Sequence, residues 1–136
     1  MKGKQMIWAV LAAAVVSMGT PSVWAEPTAE QLRQAIRDYI TRQEQQTGAF
    51  TIPDSREKGK LRVLTLVRVH ERVGKTGDYY YSCTDMKDVA AGNLLDLDFD
   101  VADTGKNLKV VAVRIHKDDG KPRYTYDDND NLIPVE

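Results

Sequence analysis

Leu94-Leu95-Asp96-Leu97-Asp98-Phe99-Asp100-Val101 is the stretch on which the fold turns. Leu95, Leu97, Phe99 and Val101 alternate without a break with Asp96, Asp98 and Asp100. A period of two puts the apolar set on one face and the carboxylates on the other, the pattern of a half-buried strand. Outward from it, a turn at Asp103 to Asn107 leads to Val111, Val113 and Ile115, which continue the apolar face. Pairing Leu97 with Val113 sets Asp96 opposite Arg114, a favourable cross-strand pair. Asp119-Gly120 is the dipeptide of a tight two-residue hairpin. It pairs Ile115 with Tyr124 and Val113 with Tyr126, with His116 beside Arg123. Pro122 has no N–H to give a ladder, so this last strand is expected at the sheet edge.

Toward the N-terminus, Leu61, Val63, Val67, Val69 and Val73 alternate with Arg62, Arg68, His70 and Arg72, and Leu64 and Leu66 interrupt the polar side. One long strand is expected here, with the valines inward. Gly74-Lys75-Thr76-Gly77 turns it into Asp78 to Thr84. Facing Val69 with Tyr81 places Val67 against Cys83 in the core, and Arg72 with Asp78 and His70 beside Tyr80 outside. Before the sheet, Thr28 and Gln31 form a capping box. Leu32, Ala35, Ile36, Tyr39 and Ile40 follow as one helical stripe, and Gly48 stops the helix. The expected fold is α+β: one N-terminal helix packed on a four- to five-stranded antiparallel meander.

Lys2 and Lys4 precede the apolar run Ile7 to Val16, and Val23-Trp24-Ala25 has the small residues of a cleavage site. Residues 1–25 therefore read as a secretory signal, with no stable membrane span after cleavage, since a spanning helix needs about 20 apolar residues. Residues 26–126 form a single domain, and residues 127–136 an acidic, loose tail. The body of about 110 residues is long enough to bury its own core without a disulfide. Cys83 is the only cysteine, so no bridge forms within the chain. The formal net charge is −1, and residues 94–136 hold 10 acids against 6 bases. Nucleic acid is not an expected partner, because phosphate binding rests on clustered Lys and Arg.

The order helix, long strand, antiparallel meander over residues 28–126 resembles the cystatin-like architecture. Leu97-Asp98-Phe99-Asp100, Arg114-Ile115-His116-Lys117 and Gly120-Lys121-Pro122-Arg123-Tyr124-Thr125-Tyr126 are similar to segments of uncharacterised exported bacterial proteins. Cystatin inhibitors carry Gln-x-Val-x-Gly in a hairpin loop. His70-Glu71-Arg72-Val73-Gly74 lacks the Gln and the central Val, so the resemblance implies the fold and not inhibition.

Chemistry-bearing residues are few. Same-face neighbours along a strand lie about 6.6 Å apart, so Asp96, Asp98 and Asp100 are expected on a solvated face and not around a cation. His70 and His116 fall three strands apart, about 14 Å, and are expected at the surface. No metal and no cofactor is expected, there being no Gly-rich phosphate loop, paired-cysteine motif or haem attachment motif. The outer sheet face gathers Leu64, Leu66, Arg68, His70, Tyr80, Asp96, Asp98, Arg114, His116 and Arg123. Apolar groups amid charge suit a protein or peptide partner, and an edge at Arg123 to Tyr126 suits a peptide or a second copy. The expected function is a small, non-enzymatic, exported binding or interaction module of the bacterial envelope. The alternatives are a thiol enzyme using Cys83 and a weak divalent-metal carrier.

Overall fold

The computed structural model describes Gly19 and residues 24–136. The expected secretory signal lies outside the described residues apart from Gly19, Trp24 and Ala25. Among the described residues no helix is long and apolar enough to cross a membrane.

The helix α1, Ala29–Thr47, starts where the capping box places it. Thr28 Oγ1 accepts from the Gln31 N–H at 3.2 Å, and Gln31 Oε1 accepts from the Thr28 N–H at 2.8 Å. Gly48 ends it at φ 87°, its N–H donating to the Glu44 carbonyl. Leu32, Ile36 and Ile40 are buried, with Ala35 and Tyr39 at the margin of the stripe.

Six strands run in chain order as one antiparallel sheet: β1 Phe50–Asp54, β2 Lys60–Thr76, β3 Tyr79–Asp88, β4 Leu94–Asp103, β5 Leu108–Asp118 and β6 Lys121–Pro122. The sheet is a meander, larger than expected because the charged loop after α1 contains β1. Pro53 fits there because β1 is an edge. α1 covers one face, and Phe50, Leu64, Met86, Leu95, Leu97, Phe99, Val101 and Ile115 close the core beneath it. Tyr39 meets Phe50 and Phe99 edge-on, with ring centroids 6.3 and 6.2 Å away.

β4 keeps its expected faces, but β2 does not. Leu66 pairs with Met86 and Arg68 with Asp85, so Val67 is an extra residue in β2. A bulge of this kind reverses which parity faces the core. Before it, Leu64 and Leu66 point inward and Leu61 and Val63 outward. After it, Val69 and Val73 point inward. Val67 itself is 54% exposed. A second irregularity at His70 to Arg72 is filled by the Ser82 hydroxyl, which donates to the carbonyls of His70 and Arg72. The two bulges and a turn confined to Gly77-Asp78 move the β2–β3 register, so Val69 faces Thr84 and not Tyr81. Cys83 is thereby turned away from the core, opposite Asp98.

The C-terminal end also departs from expectation. Asp119 and Gly120, at φ 51° and 77°, make the tight hairpin, but β6 pairs only through Lys117–Pro122 and Asp118–Lys121. Beyond Arg123 the chain leaves the sheet. β7, Tyr124–Tyr126, and β8, Leu132–Pro134, form a separate antiparallel pair whose tyrosines cover the face opposite α1. The expected loose tail is thus partly an ordered strand, and Tyr124 to Tyr126 pairs along one edge with β8 instead of forming the edge of the main sheet. Arg56 ties the pair down by donating to the carbonyls of Arg123 and Val135. Gly74 leaves the space into which Tyr81 packs, where a Cβ would sit 2.4 Å from the ring. Tyr81 stacks on Tyr126 at 4.8 Å and donates to Asp130 Oδ1.

Candidate metal centre

Cys83 of β3, Asp96 and Asp98 of β4 and His116 of β5 meet on the face opposite α1 because antiparallel pairing puts Cys83 level with Asp98, next to Arg114 and His116. Asp98 is fully buried. A buried carboxylate needs donors, since removing a charge from water without them is costly. Asp98 Oδ2 accepts from the hydroxyls of Tyr124 and Tyr126 at 2.7 and 2.6 Å, the short range of charge-assisted bonds. Asp98 Oδ1 accepts from the Cys83 thiol at 2.8 Å. His116 Nδ1 lies 3.7 Å from that oxygen and 4.0 Å from Cys83 Sγ, and its ring stacks on Tyr124 at 4.7 Å. This need for donors explains why the last strand abandons the sheet.

One atom from each of Cys83, Asp96, Asp98 and His116 lies within 4.8 Å of the other three. Burial, with the negative field of Asp98 behind it, pushes the Cys83 thiol well above its ordinary range. Burial also raises Asp96, with Asp98 adding to it while the histidines pull the other way. Both hydroxyls are raised for the same two reasons, burial and Asp98. Asp96 Oδ1 is buried and has no hydrogen-bond partner among the described residues. Beside this set, His70 Nε2 meets Asp85 Oδ1 at 2.8 Å, and Arg68 Nε donates to Asp85 Oδ2 at 2.9 Å. His70, Asp85 and Asp96 form a second convergent group. Asp100 is engaged separately by a two-pronged Arg114.

The ten residues assigned to the outer face divide. Asp96, Asp98 and His116 come together, with Arg68 and His70 adjacent and Arg114 one step along. Leu64 is 2% exposed in the core and Leu66 packs against it, as Val67 dictates. Tyr80 pairs with Val101 on the α1 side. Arg123 is locked onto Asp54 at 2.6 and 2.9 Å and onto Asp118. The interaction face drawn from the sequence therefore loses its apolar members. Asp98 and Asp100 are buried and Asp96 partly so, in place of the solvated face expected, and His116 is no surface residue, being 12% exposed. Side-chain reach closes the backbone spacing that argued against convergence of Asp96 and Asp98. Asp85, Tyr124 and Tyr126 are the members that sequence reasoning missed, and Cys83, singled out there as a thiol nucleophile, lies opposite Asp98 and not in the core against Val67. Reading Gly77-Asp78 as a two-residue turn is the one signal that would have turned Cys83 to this side.

Comparison with protein-family models, with curated proteins and with solved structures finds no match to this chain.

Proposed function

We propose that the protein is an exported, non-enzymatic module that binds one divalent transition-metal ion of the zinc class between β3, β4 and β5. The observation that carries this reading is the convergence of a thiol, an imidazole and two carboxylates within 4.8 Å. Tetrahedral zinc, with bonds of about 2.0–2.3 Å, holds its ligand atoms about 3.4–3.6 Å apart. Two of the present separations, 3.7 and 4.0 Å, are near that. The thiol and Asp98 Oδ1, 2.8 Å apart with a proton between them, part by about 0.7 Å when the ion replaces the proton. Sulfur and imidazole suit zinc, cobalt or copper, whereas magnesium and calcium prefer all-oxygen sites.

The same geometry speaks against a thiol nucleophile. Such a group needs a thiolate and a base aimed at it. Here the proton is held toward a carboxylate, burial opposes its loss, and Tyr124 and Tyr126 cap the carboxylate. A metal ion supplies the positive charge that makes the thiolate stable, so binding releases a proton.

Titration of the reduced, full-length protein with cobalt chloride tests the reading. The expected result is one equivalent bound, a near-ultraviolet thiolate-to-cobalt absorption, and loss of that absorption in Cys83→Ser. A titration with no thiolate band overturns it.

A further inference from the structure

Resting on that metal-binding reading, we infer that His70, Asp85 and Asp96 form an outer station at which a hydrated divalent cation is captured before Asp96 passes it to Cys83, Asp98 and His116. Asp96 is the only residue common to the two convergent groups. It also lines a cleft of about 240 Å³ together with Arg68, His70, Asp85, Lys117 and Gly120. The inner group is roofed: Asp98 is fully buried beneath two tyrosine hydroxyls, and His116 lies under the Tyr124 ring. Of the inner group, Asp96 is the member that also lines the cleft.

The donor chemistry is graded along this path. An imidazole and two carboxylates leave room for waters and suit an ion still partly hydrated, whereas the inner set adds a thiolate that holds a borderline or soft ion. The buried Oδ1 of Asp96 has no hydrogen-bond partner among the described residues, so no donor has to be displaced for that oxygen to turn to a cation. His70 Nε2 and Asp85 Oδ1, now bonded to each other, part to admit the ion. Arg68 binds only the other oxygen of Asp85, from a side chain 69% exposed. Lys117 stands at the cleft as a second positive charge, which sets a barrier to entry that the two carboxylates must outweigh. A station on the route changes how fast the ion arrives and leaves, not where it rests.

Stopped-flow loading of the full-length protein with cobalt chloride, read at the thiolate band, separates the outcomes. His70→Ala and Asp85→Asn are each expected to slow loading at least about fivefold. Chelator-driven release should slow by the same factor, leaving the equilibrium affinity within about twofold of the parent. Lys117→Ala is expected to load faster. If the parent shows the band but the His70 and Asp85 variants load at its rate, the station is wrong and the inner site stands. If those variants lose affinity in proportion to rate, the two residues hold the resting ion and the handover is wrong. A parent without the band fails the metal-binding reading itself, and the station with it. Circular dichroism of each variant and normal loading of Arg37→Lys, on α1 across the sheet from the path, guard against misfolding as the cause.

Discussion

Two polar clusters interrupt the apolar layers of this protein, and they are finished differently. At one end of the sheet, Asp54, Asp88 and Asp118 surround Arg62 and Arg123. Asp88 also accepts from the N–H groups of Ala90 and Ala91, and Asp118 from the Asn93 amide. Each carboxylate there meets a guanidinium. On the far face, Asp98 is met by two hydroxyls, a thiol and a histidine, and Asp96 keeps an unpartnered oxygen. The first cluster matches each carboxylate with a guanidinium, leaving Arg62 Nε and Asn93 Oδ1 without a hydrogen bond among the described residues, and fastens β1, β2, β3 and the β5–β6 hairpin together. The second holds its buried Asp98 with hydroxyls, a thiol and an imidazole in place of a guanidinium, with Lys117 only at the cleft beside Asp96, so added positive charge gains more there.

Mutations should expose that difference. The largest effect is expected from Asp54→Ala, which breaks the two-pronged bond of Arg123 and leaves Arg62 and Arg123 to share Asp118, with Asp88 on Arg62 alone. Breaking a buried pair from one side costs about 3–5 kcal/mol, measurable as a fall in the urea midpoint at unchanged slope. Zinc at 100 times its dissociation constant should raise parent stability by about 2.7 kcal/mol. The gain should vanish in Cys83→Ser yet persist in Asp54→Asn, and equal losses in both variants would dissolve the distinction between the clusters. Tyr126→Phe removes one bond to a charged acceptor, a loss of about 1.5 kcal/mol at the low end for such bonds, by thermal melting without metal.

Acid should separate the clusters as well. Bonding to Arg123, assisted by the Arg56 backbone and the charge of Arg62, holds Asp54 below the usual carboxylate range. A lowered folded value means stability present above the unfolded pKa, about 3.9, and lost as pH falls through the folded one. Stability should therefore decline below about pH 4, and less steeply in Asp54→Asn. Arg68→Ala is expected to have the smallest effect, under about 1 kcal/mol, because its pair with Asp85 is solvated on the arginine side.

The helix was legible because its signals are local: Thr28 and Gln31 cap it, Gly48 stops it, and the stripe lies between. The faces of β4 and the Asp119-Gly120 hairpin were legible for the same reason. β2 was misread because its valines alternate so well that Val67 gives no local sign of being an extra residue. Only the packing of Leu64 under α1 reveals it. The candidate metal centre depends on that register and on a segment that crosses to another face. Pro122 announces the end of the ladder, but nothing near Tyr124 announces Asp98, 26 positions earlier in the chain.

Tyr124 and Tyr126 follow all six strands of the main sheet in chain order. The shelter of Asp98 therefore comes from a segment that has no place in the six-stranded ladder. A chain ending before Tyr124 would keep all six strands yet leave the Asp98 carboxylate to water.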